Sequence, residues 1–138
     1  MENTIDMQGI RHLNLFERIT QIRTMYSFKY NETIFFCVPK QFISRAVGEN
    51  GRNVKRLSEI LGRKIKIIPT PQGIAHVRDF IRIIISPVEF KDLDIRENEV
   101  VLNAGAQSKA ALIGRNKRRL LEMKKIIKDF FGKDFRII

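Results

Sequence analysis

Apolar positions along the chain follow two alternating periods, and these periods predict a regular succession of helices and strands. Between residues 8 and 22 apolar residues return every third position, which is typical of an amphipathic helix. Two β-rich runs follow, and Asn31-Glu32 between them predicts a hairpin turn. Pro39 closes the second run, because proline cannot donate to a sheet ladder. The predicted elements of this half are a helix over 8–22, strands over 24–30 and 33–38, helices over 41–47 and 52–61, and a strand over 63–68.

The same succession begins again near residue 74. Ser86-Pro87 ends the first predicted helix of this second half, and a polar turn at residues 96–99 separates two strands. The predicted elements are a helix over 74–85, strands over 88–95 and 100–104, helices over 107–113 and 118–131, and a strand over 133–138. The order helix–strand–strand–helix–helix–strand therefore occurs twice. It predicts an α+β protein of two domains, 1–71 and 72–138, each with a three-stranded sheet packed against helices.

An internal repeat supports this division. The segment Gly48-Glu49-Asn50-Gly51-Arg52 aligns with Gly114-Arg115-Asn116-Lys117-Arg118, which lies 66 residues later. The glycines that end the two following helices, Gly62 and Gly132, are 70 residues apart. The difference of four residues is about one helical turn. We therefore expect the helix after the second loop to be one turn longer than its counterpart.

The net charge of the chain indicates which kind of molecule it binds. The 138 residues carry a formal net charge of +11, which predicts attraction to polyanions unless the surface is basic but inert. Cys37 is the one cysteine in the sequence, so an internal disulfide and a cysteine metal cluster are excluded. It lies in an apolar run, and we expect it to be a small buried side chain.

Both repeated loops have residues suited to binding a phosphate chain. A sharp Gly-x-x-Gly turn between two helices aims amides at the start of the second helix toward an anion. Glycine also lets a sugar–phosphate chain approach without a Cβ atom in the way. KH domains clamp four backbone nucleotides with a loop of this kind.

Basic residues gather around the loops, and we expect those within one helical turn of a loop to contact phosphate directly. The plainer alternative is a solvated helix surface, which we expect at Lys124, Lys125 and Lys128. The candidate RNA-binding residues are Gly48, Glu49, Asn50, Gly51, Arg52, Lys55 and Arg56 in the first repeat, and Gly114, Arg115, Asn116, Lys117 and Arg118 in the second.

Two segments resemble a known family, and the resemblance covers nearly the whole chain. RAVGENGRNVKRLSEILGRKIKII, residues 45–68, and RIIISPVEF, residues 82–90, are similar to the archaeal NusA-like transcription termination and antitermination factors. That resemblance implies two tandem type II KH domains with one extended surface for single-stranded RNA. It also implies action on nascent transcripts, with RNA polymerase or other transcription factors as further partners.

This sequence departs from the family pattern at two loop positions. Glu49 places a negative charge in the first loop, where it repels phosphate unless it points away. Lys117 stands where the pattern has glycine, which adds a charge and also a Cβ atom. The RNA-binding role that the resemblance implies is therefore assigned first to the residues of the first loop, and then to those of the second.

Other classes of function remain as alternatives. A helix-turn-helix DNA-binding protein also has two helices around a short turn, although the predicted strands argue against it. A ribosome-associated KH protein would share the fold and the charge, and the acidic loop residue leaves room for a protein-interaction scaffold. His12 and His76 have no motif partner, so we expect no enzyme, no metal site and no cofactor. No run approaches the 18 apolar residues of a membrane span, and the start lacks signal-peptide features, so we expect a cytoplasmic protein.

Overall fold

The computed structural model describes residues 7–138, with side chains from Gly9 onward. The first six residues of the first predicted domain lie outside the described residues. The described part divides into two compact units after Thr70. Each unit has the element order helix–strand–strand–helix–helix–strand and contains one three-stranded sheet. The predicted α+β class is confirmed.

The first unit is built from three helices and three strands. They are α1 (Met7–Thr20), β1 (Tyr26–Tyr30), β2 (Thr33–Val38), α2 (Ile43–Val47), α3 (Arg52–Leu61) and β3 (Lys64–Pro69). Strand β2 lies in the centre of the sheet, antiparallel to β1 and parallel to β3. The predicted hairpin is confirmed, and its two turn residues, Asn31 and Glu32, both have positive φ. This is the turn geometry that matches the twist of a two-residue hairpin.

One side of β2 forms the core of the first unit. Ile34, Phe36 and Val38 alternate along the strand and pack against the helices, and Phe36 stacks on Phe16 of α1 with ring centroids 4.5 Å apart. Leu57 of α3 completes this cluster with no exposed surface. The cluster fixes α3 against the sheet, and thereby fixes the bend that precedes α3.

Cys37 is buried on the opposite side of β2, as predicted. Burial raises the pKa of its thiol to about 12, because the surroundings desolvate the thiolate. The side chain therefore stays protonated and behaves as a small apolar group at physiological pH.

The second unit repeats this arrangement. It contains α4 (Val77–Ile85), β4 (Asp92–Ile95), β5 (Glu99–Asn103), α5 (Lys109–Ile113), α6 (Arg118–Phe131) and β6 (Asp134–Ile137). Strand β5 is central, antiparallel to β4 and parallel to β6. Helix α6 has 14 residues where α3 has 10, so the predicted extra turn is confirmed.

Several predicted element ends were wrong, and three of them have a physical reason. Helix α1 ends at Thr20, not at residue 22, because Gln21 has positive φ and the Thr20 hydroxyl donates to the carbonyl of Phe16 at 2.7 Å. Strand β3 includes Pro69 instead of ending before it. Strand β4 begins at Asp92, not at residue 88, because its pairing with β5 ends where Asp92 faces Asn103.

Candidate nucleic-acid interface

The two Gly-x-x-Gly-like loops form bends with the same backbone path. We call residues 48–51 the first bend and residues 114–117 the second bend. Gly48 and Gly114 have φ/ψ of 82°/163° and 77°/170°. Asn50 and Asn116 have 57°/26° and 56°/29°. The last residue of each bend is left-handed as well, with 72°/19° at Gly51 and 60°/22° at Lys117. Each bend thus joins a five-residue helix to a longer one.

The first residue of each bend must be glycine. A φ near 80° combined with an extended ψ is essentially closed to residues that have a Cβ atom. Space is short as well, since a Cβ at Gly48 would lie 2.9 Å from Nδ2 of Asn53. A Cβ at Gly114 would lie 2.9 Å from Cγ of Arg119. These glycines therefore serve the path of the chain.

Asn53 and Arg119 hold the bends closed, and sequence reasoning missed both. Asn53 donates from Nδ2 to the carbonyl oxygen of Ala46 at 3.1 Å. Arg119 donates from Nη1 to the carbonyl oxygen of Ala111 at 2.9 Å. Each side chain thus connects the first turn of the longer helix to a carbonyl near the end of the shorter helix, where no intrahelical donor is available. The available signal was positional, because both residues stand five positions after the first glycine of the bend.

Some backbone amides of the bends are occupied within the turn. The amide of Gly51 donates to the carbonyl of Gly48 at 3.0 Å, and that of Lys117 donates to Gly114 at 3.2 Å. The next amides, of Arg52 and Arg118, donate to Glu49 and Arg115. We expected amides at the start of these helices to face an anion, and these four are instead engaged internally. Side-chain charge therefore carries more of any anion attraction than the sequence argument assumed.

The fourth position of each bend faces open space. A Cβ placed on Gly51 meets no heavy atom within 4 Å. Lys117 occupies the equivalent position with the same backbone, and its side chain is exposed. The substitution of lysine for glycine in the second bend is therefore compatible with the bend itself.

Unpaired cations surround both bends. Arg52, Lys55 and Arg56 are exposed on the first two turns of α3, and Arg115 and Lys117 are exposed on the second bend. None of these five forms an ion pair with a described carboxylate. Elsewhere ion pairs are frequent, for example Arg78 with Asp92 and Arg136 with Glu99. The positive charge of these five side chains is thus not neutralised by an ion pair among the described residues.

The structure brings the predicted site residues together in two groups, one in each unit. Gly48 through Arg52, with Lys55 and Arg56, lie on the first bend and the adjacent face of α3. Gly114 through Arg118 lie on the second bend and the start of α6. Glu49, Asn50, Asn116 and Arg118 are exposed, whereas the glycines are half-buried.

The part of the chain that the structure describes contains no group of three His, Cys, Asp or Glu side chains placed to hold a metal ion. Within the same residues, no helix is both long enough and apolar enough to cross a membrane.

Comparison with known proteins points to one group of relatives. No protein-family model matches the chain. The probable transcription termination protein NusA of Methanococcus vannielii is 29% identical over 104 residues, which are 74% of this chain and 58% of that protein. The protein of the same description from Methanocaldococcus jannaschii is 27% identical over 125 residues, which are 88% of this chain and 67% of that protein. The first match thus spans less than two thirds of its relative. Together they confirm the resemblance to archaeal NusA-like factors.

A solved structure is similar in fold over nearly the whole chain. The protein in the crystal structure of APE1850 superposes with a TM-score of 0.66 at 23% identity. The match covers 97% of this chain and 99% of that one. At this identity the likeness concerns the fold alone.

Proposed function

We propose that the chain is a single-stranded-RNA-binding transcription factor, acting on nascent RNA in termination or antitermination. Its two units are tandem type II KH domains, residues 1–71 and 72–138, and the RNA backbone lies on the two bends. The NusA-like names of the two relatives support a role in transcription, with RNA and the transcription machinery as partners.

The topology of each unit supports the KH assignment. The order helix–strand–strand–helix–helix–strand gives a sheet with one antiparallel and one parallel strand pair. A Gly-x-x-Gly turn lies between the second and third helices, where a KH domain clamps its backbone nucleotides. The second unit repeats the topology and has a turn with the same backbone path at the equivalent place, in which Lys117 stands in place of the final glycine.

One observation carries the proposal more than any other. The two bends share one backbone path, and exposed cations lie on α3 beside the first bend and at Arg115 and Lys117 on the second, with no ion pair among the described residues. Since an unpaired exposed cation gains most from a polyanion, phosphate is the ligand chemistry that fits. Both bends are short and exposed, which suits a flexible single strand.

A helix-turn-helix role fits this geometry less well. In that motif the second helix presents its face to the major groove. Here α3 is followed at once by β3, and both pack into one core through Leu57 and Ile65. A preference for duplex DNA over single-stranded RNA would nonetheless favour that alternative.

The first test is the salt dependence of RNA binding. If about six phosphates are neutralised, log affinity falls with log salt at a slope of about −4 for a single strand. We expect Gly51→Asp together with Lys117→Asp to weaken binding strongly, because both changes place a carboxylate on a bend. A side chain at Gly51 has open space and Lys117 is exposed, so the fold is expected to survive the strain that aspartate adds at the left-handed Gly51.

The chain offers matched controls for both substitutions. Gly62 is left-handed, and a Cβ added there would have no neighbour within 4 Å, as at Gly51, but it lies at the far end of α3. Lys124 is exposed on α6, away from the second bend. Gly62→Asp with Lys124→Asp introduces the same charges and should leave RNA affinity within about twofold. Unchanged affinity in the bend variant would overturn the assignment of the bends as the binding site.

The cellular role is tested by crosslinking the protein to RNA in cells and sequencing the attached transcripts. We expect nascent transcripts, with crosslinks at the two bends. Crosslinks dominated by ribosomal RNA, with cosedimentation on ribosomal subunits, would instead establish a ribosome-associated KH protein.

A further inference from the structure

The two bends share a backbone path but differ in charge at their exposed positions. The second residue is Glu49 in the first bend and Arg115 in the second. The fourth residue is Gly51 in the first bend and Lys117 in the second. The asparagine between them is the same, and its φ and ψ agree closely between the bends. Charge, rather than shape, therefore distinguishes one bend from the other.

Glu49 is an exposed carboxylate among cations that do not neutralise it. It forms no ion pair with a described residue, although Arg52 begins α3 directly after the bend. A carboxylate beside a phosphate repels it, and the repulsion is stronger where water is excluded. Because no described ion pair neutralises Glu49, its negative charge acts on any phosphate that lies on the first bend.

Beside the first bend, cations lie on the helix at positions where the second unit has none. Lys55 and Arg56 of α3 correspond to Leu121 and Glu122 of α6, 66 residues later. The first bend thus carries a negative charge, and the basic residues follow it on α3. The second bend carries positive charge itself.

We propose that the two bends hold the RNA backbone unequally: the second bend, through Arg115 and Lys117, is the stronger phosphate contact, and Glu49 holds the first bend weak. The proposal rests on the RNA-binding function proposed above. It assigns Glu49 the role of limiting the affinity of the first bend for phosphate.

The test reverses the charge at the second residue of each bend. Glu49→Arg gives the first bend the residue that the same backbone already carries at Arg115, so the variant is expected to fold. We expect its affinity for a labelled oligouridylate to rise about three- to tenfold, with a salt slope steeper by about 0.7 for one more neutralised phosphate. Arg115→Glu should lower affinity by a similar factor and flatten the slope.

Two exposed residues away from the bends give matched controls. Glu59 lies on α3 and Lys124 on α6, and neither forms an ion pair with a described residue. Glu59→Arg makes the same change in net charge as Glu49→Arg, and Lys124→Glu the same as Arg115→Glu. We expect each control to change affinity by less than about twofold.

The outcomes separate this proposal from the function on which it rests. If the protein binds RNA through its bends but Glu49→Arg and Glu59→Arg change the affinity equally, the proposal of unequal contacts is overturned and the proposed function is not. Wild-type protein that fails to bind single-stranded RNA would overturn both. A larger effect at the bend than at its control, in both directions, supports the proposal.

Discussion

Lys117 adopts a backbone conformation that L-amino acids other than asparagine seldom adopt. Its φ of 60° is left-handed, which costs roughly 1–2 kcal/mol for a residue with a Cβ atom. Gly51 avoids this cost at the equivalent position. Strained backbone of this kind is often found at functional sites, and we infer that the function of Lys117 is to place a positive charge on the bend.

Replacing Lys117 with glycine should therefore separate stability from binding. Lys117→Gly relieves the left-handed strain, and the greater freedom of glycine in the unfolded chain offsets part of that gain. We expect the free energy of unfolding to rise by about 0.5–1 kcal/mol in urea titrations, while affinity for single-stranded RNA falls. The reciprocal change, Gly51→Ala, should destabilise by about 1 kcal/mol. Lower stability in Lys117→Gly would show that the lysine contributes contacts that outweigh its strain.

Residues with a backbone-directed role are difficult to predict from the sequence. Asn53 and Arg119 have different chemistry, yet each donates to a carbonyl of the preceding short helix. Their role depends on where the bend places that carbonyl, and no periodicity encodes such a distance. The glycines and the cations of the bends were predictable because their residue types and their spacing carry the signal.

At the scale of elements, the interiors of helices and strands followed from apolar periodicity and the ends did not. Strand β2 and helix α3 have the predicted bounds, since Pro39 and Gly62 limit them locally. Strand β4 was predicted four residues too long at its start, because its length depends on how much of β5 is available for pairing. Local breakers are visible in a sequence, whereas partner lengths are properties of the folded sheet.

The connection between helices α2 and α3 leads to a prediction about the first bend. Gly48→Ala introduces a Cβ in a region of φ and ψ that only glycine favours, and that Cβ also meets the Asn53 side chain. We expect a loss of about 2–4 kcal/mol of stability from strain and crowding together. Gly62→Ala, left-handed but uncrowded, should cost only about 1 kcal/mol.

A double-mutant cycle identifies the crowding. Asn53→Ala alone should cost about 1 kcal/mol, because it removes the hydrogen bond to Ala46. In that background Gly48→Ala should cost less than in the wild type, since the contacts with Asn53 are gone and only the strain and a 3.2 Å contact with Cγ of Arg52 remain. Strictly additive losses, measured by urea denaturation, would show that the Asn53 side chain moves aside and does not hold the bend.

At the scale of the whole molecule, the distribution of charge matters more than its sum. The chain has 26 basic and 15 acidic residues. Described carboxylates away from the bends are often paired locally, as Glu32 is with Lys29 and Arg63. Such exposed pairs contribute little to stability, about 0.2–1 kcal/mol each. They leave exposed cations without an ion pair both at the bends, such as Lys117, and elsewhere among the described residues, such as Lys124.

This distribution predicts that salt affects stability and binding in opposite directions. A net charge of +11 repels itself more in the compact state than in the unfolded chain. Screening that repulsion with sodium chloride should raise the free energy of unfolding on the order of 1 kcal/mol between low and moderate salt, more than the weak ion pairs lose. Over the same range RNA affinity should fall, because released counterions then gain less entropy.

Both responses are measured on one protein sample, by urea denaturation and by titration of labelled RNA. Chloride is used in place of sulfate, because sulfate strengthens apolar burial at any net charge. Glu59→Arg raises the net charge without changing a bend, so it should steepen the rise of stability with salt and leave the salt slope of binding nearly unchanged. If stability instead falls with salt, local ion pairs outweigh the self-repulsion, and the cations at the bends are less costly to the fold than their number implies.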